Sequence, residues 1–418
     1  MVHSKKSLID NYISVLTAML FIFFYIFEDD YRINYIILGI TALILIADIV
    51  KNGFKYSIRI HNFHILLSLF ALLCFASTLW AWDSNYAIII SKTLLEILIC
   101  VFVLYTHYYE EYDINILLKT IMYAGIVVAV YSLVYYGAGT VVSAVTNSTR
   151  LWNSFANINS IAMGAATSMI ICIYYIIYKK QFPLILFLIP LLVLIFASGS
   201  RKALLMIFLG AIFLGMKRLS GRKTGSTIIK VFFFLVIAFA LLKYLSTLPF
   251  FSGIMHRMEG LTAFITGKGA IDRSSLVRQN YITAGFQQFL KSPFLGIGIG
   301  NGRLVALQKF GADEYLHNNY IELLCDIGIV GAVFYYSMYG YILIGLAKNW
   351  SKFGDEANVI VILVLLQLIM DYGAVSYYSK QTYFYLMVFF IYIKCGHTRG
   401  NIYENKSICK NYKTYFFR

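Results

Sequence analysis

Continuous apolar stretches of about 20 residues recur along this chain from near its first residue almost to its last. A helix of about that length crosses the hydrocarbon core of a bilayer and satisfies its own backbone hydrogen bonds there. The apolar positions are consecutive and do not alternate with polar ones, which argues against a transmembrane β-barrel. With 60% hydrophobic and 13% charged residues, against about half and about a quarter in soluble domains, the sequence predicts an all-α polytopic membrane protein.

Hydropathy divides the chain into twelve predicted transmembrane helices, which form a single integral membrane domain over residues 1–418. The first follows Lys5 and Lys6 as a signal peptide would, but no small-residue cleavage site follows it, so we expect it to be retained. One long interval, residues 251–317, separates the ninth and tenth spans and is predicted to form a large loop subdomain. The predicted spans are residues 11–27, 33–50, 62–79, 86–106, 114–136, 157–178, 182–198, 203–217, 228–250, 318–347, 357–374 and 376–394.

The distribution of basic residues sets the predicted orientation. An even number of spans puts both termini on one side, and most of the 35 Lys and Arg residues lie in the segments on that side. By the positive-inside rule this side is the cytoplasm, so the large loop between spans nine and ten is expected on the outer face. This topology accounts for most of the net charge of +15, and we therefore predict no nucleic-acid partner.

Two segments on the predicted outer side carry basic residues that the positive-inside rule does not explain. The large loop holds seven of them, including Arg278 and Arg303, and a short turn before the eighth span holds Arg201 and Lys202. Arginine binds phosphate oxygens in pairs and stays charged in any surroundings. A buried or functional anion is therefore predicted on this side.

One part of the large loop, DRSSLVRQNYITAGFQQFLKSP, is predicted to be a helix. Asp272 or Ser274 can cap its start, and Pro293 follows its end. Its apolar residues fall on one stripe, formed by Ile282, Phe286, Phe289 and Leu290. A helix of this kind lies on the membrane surface or packs on the ends of the spans, and we expect Arg278 to point toward the protein.

The tenth span opens with polar residues in the stretch YLHNNYIELLCDIGIVG. Asn319 is predicted to be the N-cap and Glu322 the third helical residue of a capping box, which favours a structural role for Glu322. Asn318 and Glu322 lie one turn apart on one face of the helix. His317 precedes the cap and has no obvious structural task, and a histidine can take a proton from a hydroxyl near neutral pH.

Arg201, Arg278 and His317 come from three separate parts of the sequence, but all are expected at the outer membrane interface. Two Arg side chains and a His in a pocket open to lipid suit a lipid-linked phosphate or diphosphate substrate. The six cysteines form no CxxC pair of the metal-binding type, and GIGIGNG does not follow a strand as a nucleotide-binding loop would. We therefore predict no metal and no cofactor.

Four segments, in order along the chain, resemble the O-antigen ligase and Wzy-type polysaccharide polymerase superfamily. HNNYIELLCDIGIVG resembles its signature of His-Asn followed by a Glu and two spaced glycines. RLWNSFANINSIA resembles its Arg-Gly-Phe-Asn segment, although Asn153 stands where glycine is usual. ASGSRKALL resembles its Ser-Arg turn, and RQNYITAGFQQFLKSPFLGIGIGN resembles the segment that precedes the histidine. Together they cover the middle and later half of the chain.

The resemblance implies an all-helical, type-C-like glycosyltransferase in the bacterial cytoplasmic membrane, with both termini cytoplasmic and the active site on the outer face. It implies a donor glycan linked to undecaprenyl diphosphate, in contact with membrane lipid, and inversion at the anomeric carbon without metal or nucleotide sugar. Arg201 and Arg278 would bind the diphosphate, and His317 would orient or deprotonate the acceptor hydroxyl. The residues expected to bind substrate around them are Arg150, Asn157, Asn318, Glu322 and Arg303.

Two activities within the superfamily and one outside it remain open. A polymerase joins lipid-linked repeat units, whereas a ligase transfers the finished glycan to lipid A core, a protein or a wall acceptor. The abundance of Ile, Tyr, Asn and Lys suggests an AT-rich genome and tilts the prediction toward a capsule or surface-polysaccharide polymerase, with a flippase and a chain-length regulator as candidate partners. A transporter or flippase is the alternative from another class, and it would place its unusual polar residues at mid-membrane.

Overall fold

The computed structural model describes residues 8–27, 31–53, 59–108, 114–146, 149–152, 156–219 and 273–394. Every regular element within these ranges is helical. In chain order the α-helices are α1 (Leu8–Ile26), α2 (Asn34–Lys51), α3 (Asn62–Ala76), α4 (Ser84–Tyr108), α5 (Asn115–Tyr136), α6 (Ala138–Thr146), α7 (Ile158–Lys179), α8 (Ile185–Ser198), α9 (Arg201–Leu219), α10 (Arg273–Lys291), α11 (Gly302–Phe310), α12 (Asn319–Lys348), α13 (Glu356–Met370) and α14 (residues 380–394).

Seven of the described helices are long and apolar enough to cross a membrane. They are α1, α2, α3 with the 3-10 turn that extends it to Leu79, α4, α5, α7 and α12. Two shorter helical stretches, Phe182–Ser198 and α13, are also apolar. The described part of the chain therefore has the composition and helix lengths of a polytopic membrane protein, while the total of twelve spans stays a prediction.

Each predicted span that the structure describes overlaps a helix. The ninth span, residues 228–250, lies outside the described residues, and so do residues 251–272 of the large loop. The hydropathy pattern did not predict the short helices α6 and α11. It also extended the last two spans too far toward each other, because residues 371–379 form turns between α13 and α14.

Helices α1, α5 and α7 pack closely at small residues. A Cβ atom on Gly164 would lie 2.3 Å from the Tyr25 ring, and one on Gly125 would lie 2.0 Å from Ser168 Oγ. Tyr25 also shares a hydrogen bond of 2.6 Å with the Tyr385 hydroxyl, which ties α1 to α14. Lipid provides little hydrophobic driving force between helices, so close contacts of this kind hold a membrane bundle together.

Helix α12 is broken at Gly328, where φ is +67° and ψ is −167°. The break removes the helical bonds that would join Ile329 N–H to Cys325 O and Val330 N–H to Asp326 O. Residues 292–301, here called the glycine loop, satisfy all four groups with their own backbone. The loop's bonds run from Ile297 N to Cys325 O (3.0 Å), from Gly298 N to Asp326 O (2.8 Å), from Ile329 N to Pro293 O (2.9 Å) and from Val330 N to Phe294 O (3.3 Å).

The glycines of this loop are required by the closeness of the two backbones. A Cβ on Gly296 would lie 2.4 Å from the Asp326 carbonyl group, and one on Gly298 would lie 2.4 Å from Ala81. The buried carboxylate of Asp326 accepts the N–H groups of Gly300 (2.9 Å) and Gly302 (2.5 Å). The GIGIGNG sequence therefore forms a plug for a broken helix, which keeps backbone polar groups paired inside the protein.

Helix α10 forms where it was predicted, and the face that it buries in the protein is not the apolar stripe. Tyr281 and Ala284 are buried, and a Cβ on Gly285 would lie 2.4 Å from Leu316. Phe286 and Leu290 of the predicted stripe are exposed instead. The sequence left open whether the stripe meets the membrane surface or the span ends, because apolar side chains can face either protein or lipid in a membrane protein. The predicted caps, Asp272 and Ser274, lie outside the residues whose side chains are described.

Candidate active site

A cavity of about 420 Å³ lies where α9, α10 and the turn after α13 meet. Its charged and titratable lining includes Arg201, Lys202, Arg278 and His317. The three side chains predicted to be catalytic, although distant in sequence, thus line one space. The apolar part of the lining comes from Leu205, Ile282, Ile369 and Met370. The cavity combines a positively charged region with an apolar wall.

The turn between α8 and α9 supplies two of these cations. Gly199 ends α8 with a φ of +61°, and Ser198 Oγ accepts the N–H of Ser200 at 3.1 Å, so the chain reverses before Arg201. Lys202 Nζ donates to the carbonyl of Gly373 at 2.5 Å and joins α9 to the turn after α13. The first turn of a helix also carries a positive partial charge, so this end of α9 favours an anion.

His317 has an unusual backbone conformation at the edge of the cavity. Its φ is +58°, in the left-handed region that residues other than glycine rarely adopt. The buried carboxylate of Glu322 accepts the N–H of Leu316, the preceding residue, and Asn318, the following residue, caps α12. Strained backbone of this kind persists where surrounding contacts impose it, and it is frequent at functional sites.

Aromatic rings and cations surround the His317 side chain. The Tyr281 ring lies parallel to it with centroids 6.1 Å apart, and the Tyr315 ring lies at 4.2 Å. Burial, and then the charges of Arg278 and Lys202, lower the pKa of His317 from 6.5 to about 4. The imidazole is therefore neutral at pH 7 and able to accept a proton. Its Nδ1 is buried and has no hydrogen-bond partner among the described residues.

The start of α12 differs by one residue from the predicted capping box. Asn318, and not Asn319, is the N-cap, because its Oδ1 accepts the N–H of Ile321 at 3.0 Å. Glu322 is consequently the fourth helical residue, and its carboxylate bonds Leu316 instead of the N-cap amide. Asn318 and Glu322 are buried behind His317 and are not among the residues that line the cavity.

Asn319 fixes the turn that closes one side of the cavity. Its Oδ1 accepts the N–H of Ser376 at 2.8 Å, and its Nδ2 donates to the buried carboxylate of Asp371 at 3.1 Å. The Ser376 hydroxyl donates to the same carboxylate at 2.7 Å. These bonds hold the segment that places Tyr372 and Gly373 in the cavity lining. Most of this segment falls within the predicted spans 357–374 and 376–394, so hydropathy does not indicate the turn.

Arg303 does not lie in the cavity lining. Its guanidinium pairs with Asp83 at 2.5 Å and with Asp313 at 2.7 Å, and it lies over the Tyr86 ring at 4.2 Å from the centroid. These contacts join α11 to the start of α4 beside the glycine loop. Among the described residues, the surroundings of Arg303 indicate a structural function.

Replacement of Arg303 with methionine is expected to lower the free energy of unfolding by about 1–2 kcal/mol, because it leaves Asp83 half-buried without its cation. Since Arg303 lies away from the cavity, the KM for the donor should stay within about twofold of the wild-type value. A thermal unfolding scan and a transfer assay on the same purified protein measure both quantities. A large rise in KM with unchanged stability would indicate that Arg303 binds the substrate.

The structure does not place Arg150 and Asn157 in the cavity lining. Arg150 is exposed, and the next residue, Leu151, donates its N–H to the carbonyl of Ala197 near the end of α8. Asn157 is the N-cap of α7, and its Oδ1 accepts the N–H of Asn159 at 3.1 Å. The segment that follows Arg150 therefore contacts the end of α8, while Asn157 has a local structural function.

Three cavity residues, Lys202, Tyr372 and Gly373, were not among the predicted site residues. Lys202 could have been predicted from the sequence, because it directly follows Arg201. Within the described ranges, no three His, Cys, Asp or Glu side chains converge as metal ligands do.

Part of the chain, including some of the residues that line the cavity, matches a known protein family. Residues 185–336 match the model of a family described as O-antigen ligase. The match confirms the predicted family resemblance and covers three of the four segments, since RLWNSFANINSIA precedes it. It includes Arg201, Arg278, His317 and the whole glycine loop. Among curated proteins, none matches the chain.

Proposed function

We propose that this protein is a surface-polysaccharide polymerase, a glycosyltransferase that joins oligosaccharide repeat units carried on undecaprenyl diphosphate. The observation that carries the proposal is the convergence of Arg201, Arg278 and His317 on one cavity with an apolar wall. The O-antigen ligase match supports transfer of a lipid-linked glycan. The choice of polymerase over ligase rests on the composition of the chain, and the ligase reaction is the alternative.

The cavity suits both parts of a prenyl diphosphate. Arg201 and Arg278 can bind phosphate oxygens through charge-assisted hydrogen bonds, and Lys202 adds a third positive charge. The apolar wall around Ile369 and Met370 can accommodate the first isoprene units of the lipid. In this proposal the donor enters from the bilayer into a site on the outer face of the bacterial cytoplasmic membrane. A flippase would deliver it there, and a chain-length regulator would limit the product.

The proposed reaction is an in-line displacement. The acceptor hydroxyl attacks the anomeric carbon of the donor, and His317 takes its proton as the new C–O bond forms. The bond from the anomeric carbon to the phosphate oxygen breaks with its electron pair, so the configuration inverts. Arg201 and Arg278 stabilise the negative charge that builds up on the leaving diphosphate. The reaction needs neither a metal ion nor a nucleotide sugar.

The break in α12 does not favour the transporter alternative. Broken helices in transporters expose unwound backbone that binds ions or substrates. Here the glycine loop occupies the break, and the Asp326 carboxylate accepts hydrogen bonds from Gly300, Gly302 and the Tyr377 hydroxyl. The described polar groups at the break are thus used within the protein, whereas the cations gather at the cavity.

Deletion of the gene in its host, followed by gel analysis of the surface glycan and the lipid-linked intermediates, tests the proposal. Single repeat units on lipid, without a ladder of longer chains, are the expected result for a missing polymerase. Long lipid-linked chains that never reach their acceptor would assign the ligase reaction instead. Unchanged glycan and intermediates would contradict both activities.

Complementation of that strain with Arg278→Gln tests the cavity. We expect transfer to fall about 100-fold, because the variant loses one charge that stabilises the leaving diphosphate. Lys309→Gln is the matched control, because it removes one positive charge from α11 and Lys309 does not line the cavity. In the wild-type protein, Lys309 Nζ donates to Gln287 at 2.5 Å. Equal activity of the two variants in the ladder assay would contradict the role given to Arg278.

A further inference from the structure

We propose that Glu314 is a positioning residue, whose carboxylate stabilises the positive charge that His317 acquires when it takes the proton of the acceptor hydroxyl. The inference rests on the proposed function, because it assumes that His317 is the base. Glu314 lies in the segment between α11 and α12, three residues before His317. No step of the reaction described above uses it.

The distance between the two side chains is the first observation. Glu314 Oε2 lies 3.6 Å from His317 Nε2, within ion-pair range but longer than a hydrogen bond. Contacts to catalytic groups are often long in the absence of substrate and shorten in the reacting complex. The positive φ of His317 and the bond between Leu316 and Glu322 fix the backbone that joins the two residues.

The charges around the ring are the second observation. Arg278 and Lys202 oppose the protonated form of His317, and Glu314 is the described acidic side chain within ion-pair distance of it. Glu322 is also near in sequence, but its carboxylate is buried and bonded to Leu316. The titratable and charged groups around the ring are Arg201 and Lys202 on α9, Arg278 and Tyr281 on α10, Glu314 and Tyr315 on the connecting segment, Glu322 on α12 and Tyr372 after α13.

Burial and these charges explain why a base at this position needs a counter-charge. In the resting protein, burial and then the charges of Arg278 and Lys202 lower the pKa of His317 to about 4, and so weak a base takes a proton from a hydroxyl poorly. A bound diphosphate brings negative charge to Arg278 and Lys202 and cancels much of their effect on the ring. Glu314 then remains beside the imidazole as its partner.

The proton is accounted for without Glu314 becoming protonated. It passes from the acceptor hydroxyl to the imidazole, and the carboxylate stabilises the imidazolium by charge alone, as the aspartate does in Ser-His-Asp enzymes. The role does not depend on which ring nitrogen accepts the proton, because the charge of an imidazolium is shared over the ring. In the product state the imidazolium returns its proton to solvent or to the released diphosphate.

The substitution Glu314→Gln tests this role, because it keeps the shape of the side chain and removes its charge. The assay uses purified full-length protein in lipid vesicles, with lipid-linked repeat units extracted from the deletion strain as donor and acceptor. We expect kcat to fall roughly tenfold, with the KM for the donor unchanged and the acid limb of the kcat profile moved to lower pH. The limb moves down because loss of the carboxylate disfavours protonated His317.

Two further variants make the result decisive. Asp313→Asn removes a negative charge from the adjacent residue, which pairs with Arg303, and should leave the acid limb in place. Glu314→Asp keeps the charge and should restore part of kcat and the position of the limb. A wild-type kcat and pH profile in Glu314→Gln would overturn the inference, and so would a loss of activity with an unmoved acid limb. Absence of transfer by the wild-type protein would instead contradict the proposed function itself.

Discussion

Replacement of His317 with glutamine is expected to reduce glycan transfer by a factor of about 10²–10⁴, the usual contribution of a general base. Glutamine keeps a polar side chain of similar reach but cannot take a proton from the acceptor hydroxyl. The loss should therefore appear in kcat, while the KM for the lipid-linked donor changes little, because the proposed mechanism assigns the diphosphate to Arg201 and Arg278. A transfer assay in vesicles and complementation of the deletion strain measure the two effects.

The pH dependence of transfer by the wild-type protein is a second test of His317. Burial and the neighbouring cations lower the pKa of His317 to about 4, so the base of the free protein is neutral above that pH. The acid limb of kcat/KM, which reports the free enzyme, is expected near pH 4 and not near 6.5, and it should be absent in His317→Gln. Wild-type transfer by His317→Gln would show that His317 is only part of the entry to α12.

Replacement of Gly328 with alanine is expected to destabilise the fold by more than about 4 kcal/mol. Two causes act together. A φ of +67° with a ψ of −167° lies in a region that only glycine occupies at low energy. A Cβ at this position would also lie 2.2 Å from Phe294 O, so the glycine loop would have to leave the break in α12. Thermal unfolding of the protein in detergent measures the effect.

Gly340 provides a control on the same helix. Its φ is not positive, and a Cβ there would meet no described atom within 4 Å. Gly340→Ala should therefore leave stability unchanged or raise it by about 0.5–1 kcal/mol, because alanine favours helix. Similar unfolding temperatures for Gly328→Ala and wild type would mean that the break and its plug do not contribute to stability.

The two predictions are connected through the chain. The glycine loop leads directly into α11 and then into the segment that carries Glu314 and His317. This segment ends at Asn318, the N-cap of the broken helix. The docking of the loop at Gly328 and the cap at Asn318 therefore fix both ends of the structure that holds His317, the proposed base. Loss of the plug is expected to disturb His317 even in molecules that remain folded.

The sequence by itself determined the class of fold. An apolar run of about 20 residues satisfies its backbone hydrogen bonds within itself when it becomes a helix, so its formation depends on local composition alone. Apart from α6, α10 and α11, the described helices accordingly lie where hydropathy predicted spans. Arg201, Arg278 and His317 could also be selected from sequence, because cations on the disfavoured side of a membrane and a histidine before a helix cap are local signals.

The tertiary structure alone decided how those pieces meet. The packing face of α10 could not be predicted, because Phe286 and Leu290 are as stable against lipid as against protein. The break at Gly328 could not be predicted either, because the backbone groups that it frees form hydrogen bonds with the glycine loop, some 30 residues earlier in the chain. Bonds between distant backbone groups leave no periodic pattern in a sequence. The convergence of Arg201, Arg278 and His317 on one cavity, with Glu314 beside the base, follows from that packing.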